Sequence, residues 1–328
     1  MRTLIVLGFV GAIAQLIDGS LGMAYGVTST TLLVAAGIAP AAASASVHFA
    51  EIGTTLASGF SHHKLGNVDW RIVRILAVPG AIGAFAGATI LSSLSAATAT
   101  PVVGAILLVL GVYVLYRFLA LGGRRPEFRG QVRTGFLVPL GLIGGTLDSL
   151  GGGGWGPVGT TSLLSSGRVE PRKVVGSIDT SEFVVAVGGS LGFLVGLGTA
   201  GINWGYPAAL LVGGVLVAPL AAWLVKHLPA RVLGTAAGGL IVLTNSRTLL
   251  LWAEVPTAAV NSILMGFAAI WIAAIAWAVH AERQVRGPEL IGADGGIDSR
   301  HVSTTSNPGS GTDTGSESGA EKIVGAES

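Results

Sequence analysis

Cysteine is absent from the 328 residues, and only 11% of them are charged. The absence of cysteine excludes disulfide bonds, thiolate catalysis and cysteine-ligated metal centres. The formal net charge of +2 is too small to mark a nucleic-acid-binding surface. Because about a quarter of the residues of a soluble domain are charged, this composition argues against a soluble enzyme.

Apolar residues make up 51% of the chain, and its mean hydropathy is +0.71. Glycine, with 51 residues, occurs at more than twice its usual share of about 7%, which favours close helix packing and broken helices in lipid. The sequence therefore predicts an all-α integral membrane protein, with a transporter or channel as the leading class. Apolar runs of about 20 residues, long enough to cross a bilayer, lie at 41–60, 72–94, 102–120, 174–198, 206–225, 232–252 and 258–280.

Two further apolar regions, 4–38 and 135–167, are interrupted midway by the polar and glycine-rich segments DGSLGMAYG (18–26) and DSLGGGGWGP (148–157). The arms on either side, of about 9 to 14 residues, are too short to cross a core of about 30 Å. We therefore expect each region to form a re-entrant hairpin of two half-helices.

An internal repeat relates the two interrupted regions. A shift of 130 residues places Asp18 on Asp148 and Thr30 on Thr160, and with one inserted residue Glu51 falls on Glu182. The predicted organisation is a first transmembrane repeat (1–120), a basic cytoplasmic linker (121–134), a second transmembrane repeat (135–252), a final transmembrane helix (253–284) and a disordered cytoplasmic tail (285–328).

The basic loops predict that the two repeats have inverted topology. Basic residues favour cytoplasmic loops, and they lie in the loops 61–74 and 122–133 of the first copy but in 167–173 and 226–231 of the second. This places the N-terminus outside and the tail in the cytoplasm. Re-entrant hairpins that enter from opposite faces would meet near the midplane, as in secondary transporters built from inverted repeats.

The hairpin tips are the candidate binding site for a small anion. At each tip the second arm begins with unpaired N–H groups and a positive dipole end, glycines allow close backbone approach, and nearby hydroxyls can donate. The alternative is that these glycines only pack helices and the threonines bond to their own backbone carbonyls. The candidate substrate-binding residues are Gly22, Tyr25, Gly26, Thr30, Gly152, Gly153, Gly154, Trp155, Gly156, Thr160 and Thr161.

Ionisable side chains within the predicted spans are candidates for coupling transport to H⁺ or Na⁺, because such groups are costly in a bilayer and by default functional. They are the tip residues Asp18 and Asp148 and two pairs at i, i+3, His48 with Glu51 and Asp179 with Glu182. Alternatively, the tip aspartates cap the broken helix ends and the glutamates support helix packing. No second histidine stands at ligand spacing from His48, so no metal site is predicted.

Three segments resemble the sulfite exporter TauE/SafE family of bacterial and archaeal permeases: LLVAAGIAPAAASAS (32–46), GFSHHKLGNVDWRIVRILAVPGAIGAFAGA (59–88) and GGGGWGPVGTTSLLSSGRVEPRKVVGS (151–177). The resemblance extends from about Gly8 to Leu251. It implies ATP-independent export or exchange of a small sulfur-containing anion, such as sulfite or an organosulfonate, across the cell membrane. The first tip departs from the family pattern, which is usually richer in glycine there, and this leaves the substrate open.

Two other functions compete with anion transport. A cation permease would use the buried acidic residues as its pathway. An intramembrane enzyme or a scaffold is the weakest alternative, because the chain lacks HExxH, GxSxG and a phosphate-binding loop. We expect no cofactor and no nucleic-acid partner; the expected partners are the anionic substrate, the lipid bilayer and, as a possibility, further copies of the chain.

Overall fold

The computed structural model describes residues 2–21, 23–119, 131–166, 168–227 and 229–293. Within these ranges the chain is helical, without a strand. Residues up to Val285 form one compact unit. The helices are α1 (Arg2–Leu21), α2 (Tyr25–Ala35), α3 (Pro40–Lys64), α4 (Trp70–Ser93), α5 (Ala96–Leu119), α6 (Thr134–Gly151), a π-helical segment (Trp155–Thr160), α7 (Thr161–Ser165), α8 (Pro171–Leu197), α9 (Gly205–His227), α10 (Ala230–Trp252) and α11 (Thr257–Ala293).

Each of the seven predicted spans lies within a single helix, except that three of them, 72–94, 102–120 and 174–198, end one residue after the helix. Among the described residues, four segments are long and apolar enough to cross a bilayer: Trp70–Ser93, Ala96–Leu119, Arg172–Leu197 and Thr257–Gln284. Much of each of the first three is buried against other helices, whereas Thr257–Gln284 is almost entirely exposed on the described chain. An apolar helix with so little protein cover is suited to contact lipid.

The two interrupted regions are broken where the sequence predicts, but their first arms are longer than predicted. Helix α1 has 20 residues and α6 has 18, roughly 30 Å and 27 Å at 1.5 Å per residue. The prediction of short first arms is therefore wrong, because the helices continue through both tip aspartates. The second arms are short: α2 has 11 residues, and the second tip continues as a six-residue π-helix followed by the five-residue α7.

Glycine ends the first arm of the second hairpin. Gly152 adopts the left-handed conformation with φ 67° and ψ 33°, which is accessible to glycine at little cost. The following N–H of Gly153 donates to the carbonyl of Asp148 at 2.9 Å. This closes α6 and turns the chain into the π-helical segment.

Helix packing follows the repeat. Helix α1 packs against α9 and α6 packs against α4, and these are equivalent pairs because the repeat relates α1 to α6 and α4 to α9. Likewise α3 packs against its own equivalent α8, and α5 against its own equivalent α10. The packing therefore pairs helices of one predicted repeat with helices of the other.

Three of the four predicted basic loops gather at one end of the helices. Arg71 donates to the carbonyl of Val132 at 3.0 Å, and Lys173 donates to that of Val68 at 3.2 Å. Loop residues 64–71, 131–134 and 168–177 are thus linked, while the linker residues 120–130 lie outside the described ranges.

The last helix extends further than the sequence predicts. Helix α11 continues to Ala293, so the first nine residues of the segment predicted as disordered, 285–328, are helical. The run AERQ before them favours helix propagation, whereas Gly287 and Pro288 disfavour it, so helix propensity alone does not account for the later boundary. Residues 294–328 lie outside the described residues.

Glycines on α4 set the close approach to α6, which leads to a stability prediction. A Cβ on Gly87 would lie 2.6 Å from the carbonyl oxygen of Thr146, so Gly87→Ala should destabilise the fold by about 1–3 kcal/mol through overpacking. The control is Gly266→Ala on α11, where no atom lies within 4 Å of an added Cβ. Thermal unfolding in detergent should show a lower midpoint for Gly87→Ala alone; equal midpoints would contradict this close packing.

Candidate functional site

A polar cavity of about 410 Å³ lies between α1, α2, α3, α8 and α9. It contains five of the sequence-predicted site residues: Asp18, Tyr25, Glu51, Asp179 and Glu182. The remaining lining residues are Gln15, Thr54, Thr55, Ala57, Ser58, Ser61, His62, Leu65, Gly214 and Val215. The cavity follows α3 from Leu65, at the end with the linked basic loops, to Glu51 beside the hairpin tips.

The two tips are in direct contact. The hydroxyl of Thr30, on the first tip, donates to the carbonyl of Gly152 on the second at 2.8 Å. A Cβ on Gly26 would lie 2.7 Å from the Gly152 oxygen and 2.8 Å from Oε1 of Glu51. Only glycine at position 26 leaves room for this contact, so Gly26 and Gly152 allow the two helix breaks to pack against each other.

The tip aspartates hold the broken helices by the same bonds in both copies. Oδ1 of Asp18 accepts from the N–H groups of Ala24 at 2.8 Å and Tyr25 at 3.1 Å. Oδ1 of Asp148 accepts from those of Gly154 at 2.7 Å and Trp155 at 3.0 Å. The capping function that the sequence left as an alternative is therefore present in the structure.

These caps change the expectation for anion binding. The first N–H groups of each second arm were expected to face a bound anion, but two of them at each tip already donate to a carboxylate of the protein. The positive dipole end is compensated by the same carboxylate. Other donors at the tips are therefore needed to bind an anion.

Hydroxyl groups at both tips divide into bonded and unbonded sets. The Thr161 hydroxyl donates to the carbonyl of Pro157 within its own helix. By contrast, within the part of the chain that the structure describes, the buried hydroxyls of Thr28 and Thr160 have no hydrogen-bond partner. These two are donors still available to a ligand, and Thr160 is among the predicted substrate-binding residues.

The aromatic residues of the tips have different surroundings. Trp155, expected to close the site, is 1% exposed in the apolar core, and its ring nitrogen donates to the carbonyl of Ile178 at 3.1 Å. A Cβ on Gly80 would lie 2.6 Å from its ring, so Trp155 packs α4 against α8. Tyr25 lines the cavity, and its hydroxyl donates to the carbonyl of Leu210 at 3.3 Å. Gly22 lies outside the described residues.

His48 and Glu51 of the first predicted repeat lie beside Asp148, at the tip of the second. Nε2 of His48 is 3.3 Å from Oδ2 of Asp148, and both side chains are buried. Glu51 is 2% exposed, and neither of its carboxylate oxygens has a hydrogen-bond partner among the described residues. Asp148, which is remote in sequence, therefore joins His48 and Glu51 in one buried cluster of predicted coupling residues.

The second acidic pair shares the cavity with the first tip. Asp179 and Glu182 line it together with Asp18, which is the arrangement that the repeat predicts. Oδ2 of Asp179 is 3.9 Å from Nε2 of His62. Sequence reasoning did not select His62, although it lies eleven residues after Glu51, three helical turns along the same face of α3.

Comparison with known proteins gives one family. The family described as "Sulfite exporter TauE/SafE" matches residues 7–248. "Probable membrane transporter protein YtnM" of Bacillus subtilis (strain 168) is 51% identical over 281 residues, which cover 84% of this chain and 92% of that protein. No solved structure matches the chain at a significant level.

The cap at the first tip predicts unequal effects of two substitutions. Asp18→Ala removes the oxygen that accepts from Ala24 and Tyr25, so it should cost about 0.5–2 kcal/mol of stability. Asp18→Asn keeps an acceptor oxygen of the same reach and should cost clearly less. Thermal unfolding of the two purified variants compares these costs; an equal loss in both would mean that the charge, and not the acceptor, holds the tip.

Proposed function

The chain belongs to the sulfite exporter TauE/SafE family, and from this premise we propose that it exports a small sulfur-containing anion, such as sulfite or an organosulfonate. It is a multi-pass membrane transporter by family and by its apolar helices. In the proposal it acts as a secondary transporter in the cell membrane, and no catalytic step is required.

The observation that carries the proposal is the set of unbonded, buried hydroxyls at both tips. The side chains of Thr28 and Thr160 are each at most 1% exposed, and hydroxyl donors suit the oxygen atoms of a sulfite or sulfonate group. Buried polar groups are normally bonded, so a ligand that accepts from these hydroxyls would satisfy them.

Coupling to a cation follows from the charge of the cavity. Asp18, Glu51, Asp179 and Glu182 all line it. A negative charge about 4 Å from an anion is repelled by about 4 kcal/mol at an effective dielectric constant near 20. An anion would therefore enter only as H⁺ or Na⁺ neutralises these carboxylates, which gives symport or exchange driven by a cation gradient.

Inverted topology remains part of the proposal. It is supported by the linked basic loops at one end of the helices. Two uncharged contacts, of Leu4 with Gly205 and of Ser92 with Gly196, join other helix ends. Repeat-related helix pairs give further support. The basic end would face the cytoplasm, with the C-terminal tail on the same side.

A cation permease is the second candidate function. The acid-lined cavity favours it directly, because four carboxylates attract cations without any coupling step. The flux experiment below separates the two functions by the charge of the transported ion.

The topology prediction concerns reporter fusions at defined loops. Fusions after Lys64 and Lys173 should report the cytoplasm, and fusions after Thr98 and Gly201 the outside, since basic residues are retained on the cytoplasmic side. A fusion after Lys173 that reports the outside would contradict the inverted arrangement.

The function prediction concerns flux in proteoliposomes. With sulfite, sulfoacetate, sulfate and a divalent metal cation as test ions, we expect flux of a sulfur-containing anion that depends on a pH or Na⁺ gradient. Glu182→Gln should remove this dependence, because it deletes one cavity carboxylate at nearly constant volume. Glu170→Gln is the matched control, since that carboxylate is half exposed and paired with Arg172.

The outcomes of the flux experiment separate the alternatives. Flux of the metal cation alone would favour the cation permease. Undiminished, gradient-dependent anion flux in Glu182→Gln would remove this carboxylate from the coupling mechanism. Loss of the variant from the membrane would instead indicate a structural role for Glu182.

A further inference from the structure

The cluster of His48, Glu51 and Asp148 presents converging acceptors. Nδ1 of His48 is 3.0 Å from the carbonyl oxygen of Ser44, and because a carbonyl only accepts, Nδ1 carries the ring hydrogen. In the neutral ring Nε2 is then an acceptor. This nitrogen, one oxygen of Glu51 and one of Asp148 lie within 4.8 Å of one another.

The acceptors have few donors to satisfy them. Oδ1 of Asp148 is already bonded to two N–H groups at the tip, whereas Oδ2 and both oxygens of Glu51 are buried without a hydrogen bond among the described residues. Buried lone pairs that face each other at such distances are stabilised by a proton or a metal cation held between them. Ser149 provides a single hydroxyl, 3.1 Å from Nε2 of His48.

We propose that His48, Glu51 and Asp148 bind one divalent transition-metal cation of the Zn²⁺ or Mn²⁺ class where the two hairpin tips meet. The imidazole nitrogen favours such metals over Na⁺ or Ca²⁺, which prefer oxygen ligands alone. Two carboxylates compensate the charge of the cation, so the occupied cluster is neutral in its low-dielectric surroundings.

The distances and the outer partners fit a metal centre. Tetrahedral bonds of about 2.0–2.1 Å place two ligand atoms about 3.3 Å apart, and Nε2 of His48 and Oδ2 of Asp148 are 3.3 Å apart. The other nitrogen of a ligating histidine usually donates to a carbonyl or carboxylate, as Nδ1 does to Ser44. The other oxygen of Asp148 is fixed by the tip backbone, so both ligands are held in position.

A path to this site exists in the described fold. Glu51 belongs both to the cluster and to the cavity, which reaches Ser61, His62 and Leu65 near the end of α3. The carboxylates along this path attract cations. The sequence did not predict the centre, because Asp148 comes from the second copy and its distance from His48 is set by tertiary packing.

The test is metal binding by the full chain, purified in detergent and stripped with a chelator. Isothermal titration with Zn²⁺, Mn²⁺ and Na⁺ in separate runs should show one Zn²⁺ or Mn²⁺ per chain. Glu51→Gln should weaken this binding at least about tenfold, because it replaces a charged ligand. Glu170→Gln, an exposed acid on the surface, should bind as the wild type does.

A spectroscopic measurement keeps the test decisive if Glu51→Gln does not fold. Pulsed electron paramagnetic resonance of bound Mn²⁺ should show coupling to an imidazole nitrogen in the wild type, and His48→Gln should lose it. Binding of Na⁺ alone, proton uptake with no metal bound, or a Mn²⁺ spectrum without nitrogen coupling would each overturn the proposal. No anion is present, so the result is independent of the proposed transport function.

Discussion

The breaks in the two hairpins can exist in an apolar environment only because an aspartate satisfies the backbone beyond each break. In lipid an unbonded N–H group costs several kcal/mol, and Asp18 and Asp148 each bind two such groups. The same residues bring a carboxylate deep into the fold. Asp18 and Asp148 therefore both cap the broken helices and place negative charge at the tips.

Glycine makes this arrangement possible by allowing backbone to meet backbone. Gly26 lies against Gly152 and Gly153, and Gly87 lies against α6. In lipid the hydrophobic effect does not drive helices together, so such contacts are stabilised by van der Waals packing. The close contacts also bring α3 beside the second tip, and this places His48 and Glu51 next to Asp148.

The charge balance of the cavity connects the structure to transport. Its carboxylates oppose an anion and attract a cation, whereas the unbonded tip hydroxyls suit an oxyanion. A transporter that moves an anion with a cation uses both features. A metal held by His48, Glu51 and Asp148 would reduce the negative charge where the tips meet. Asp179 and Glu182 would then be the carboxylates that bind the coupling cation.

The sequence by itself determined the all-helical membrane class, the positions of the long helices and the two breaks, because apolar runs and glycine-rich interruptions are local signals. It also selected the residues of the buried cluster. Tertiary structure decided their partners: His48 meets Asp148 of the other copy, Trp155 enters the core between α4 and α8, and the helix N-termini receive the protein's own aspartates. The contact of His48 with Asp148 joins segments about a hundred residues apart, and periodicity along one helix carries no information about which helix lies opposite.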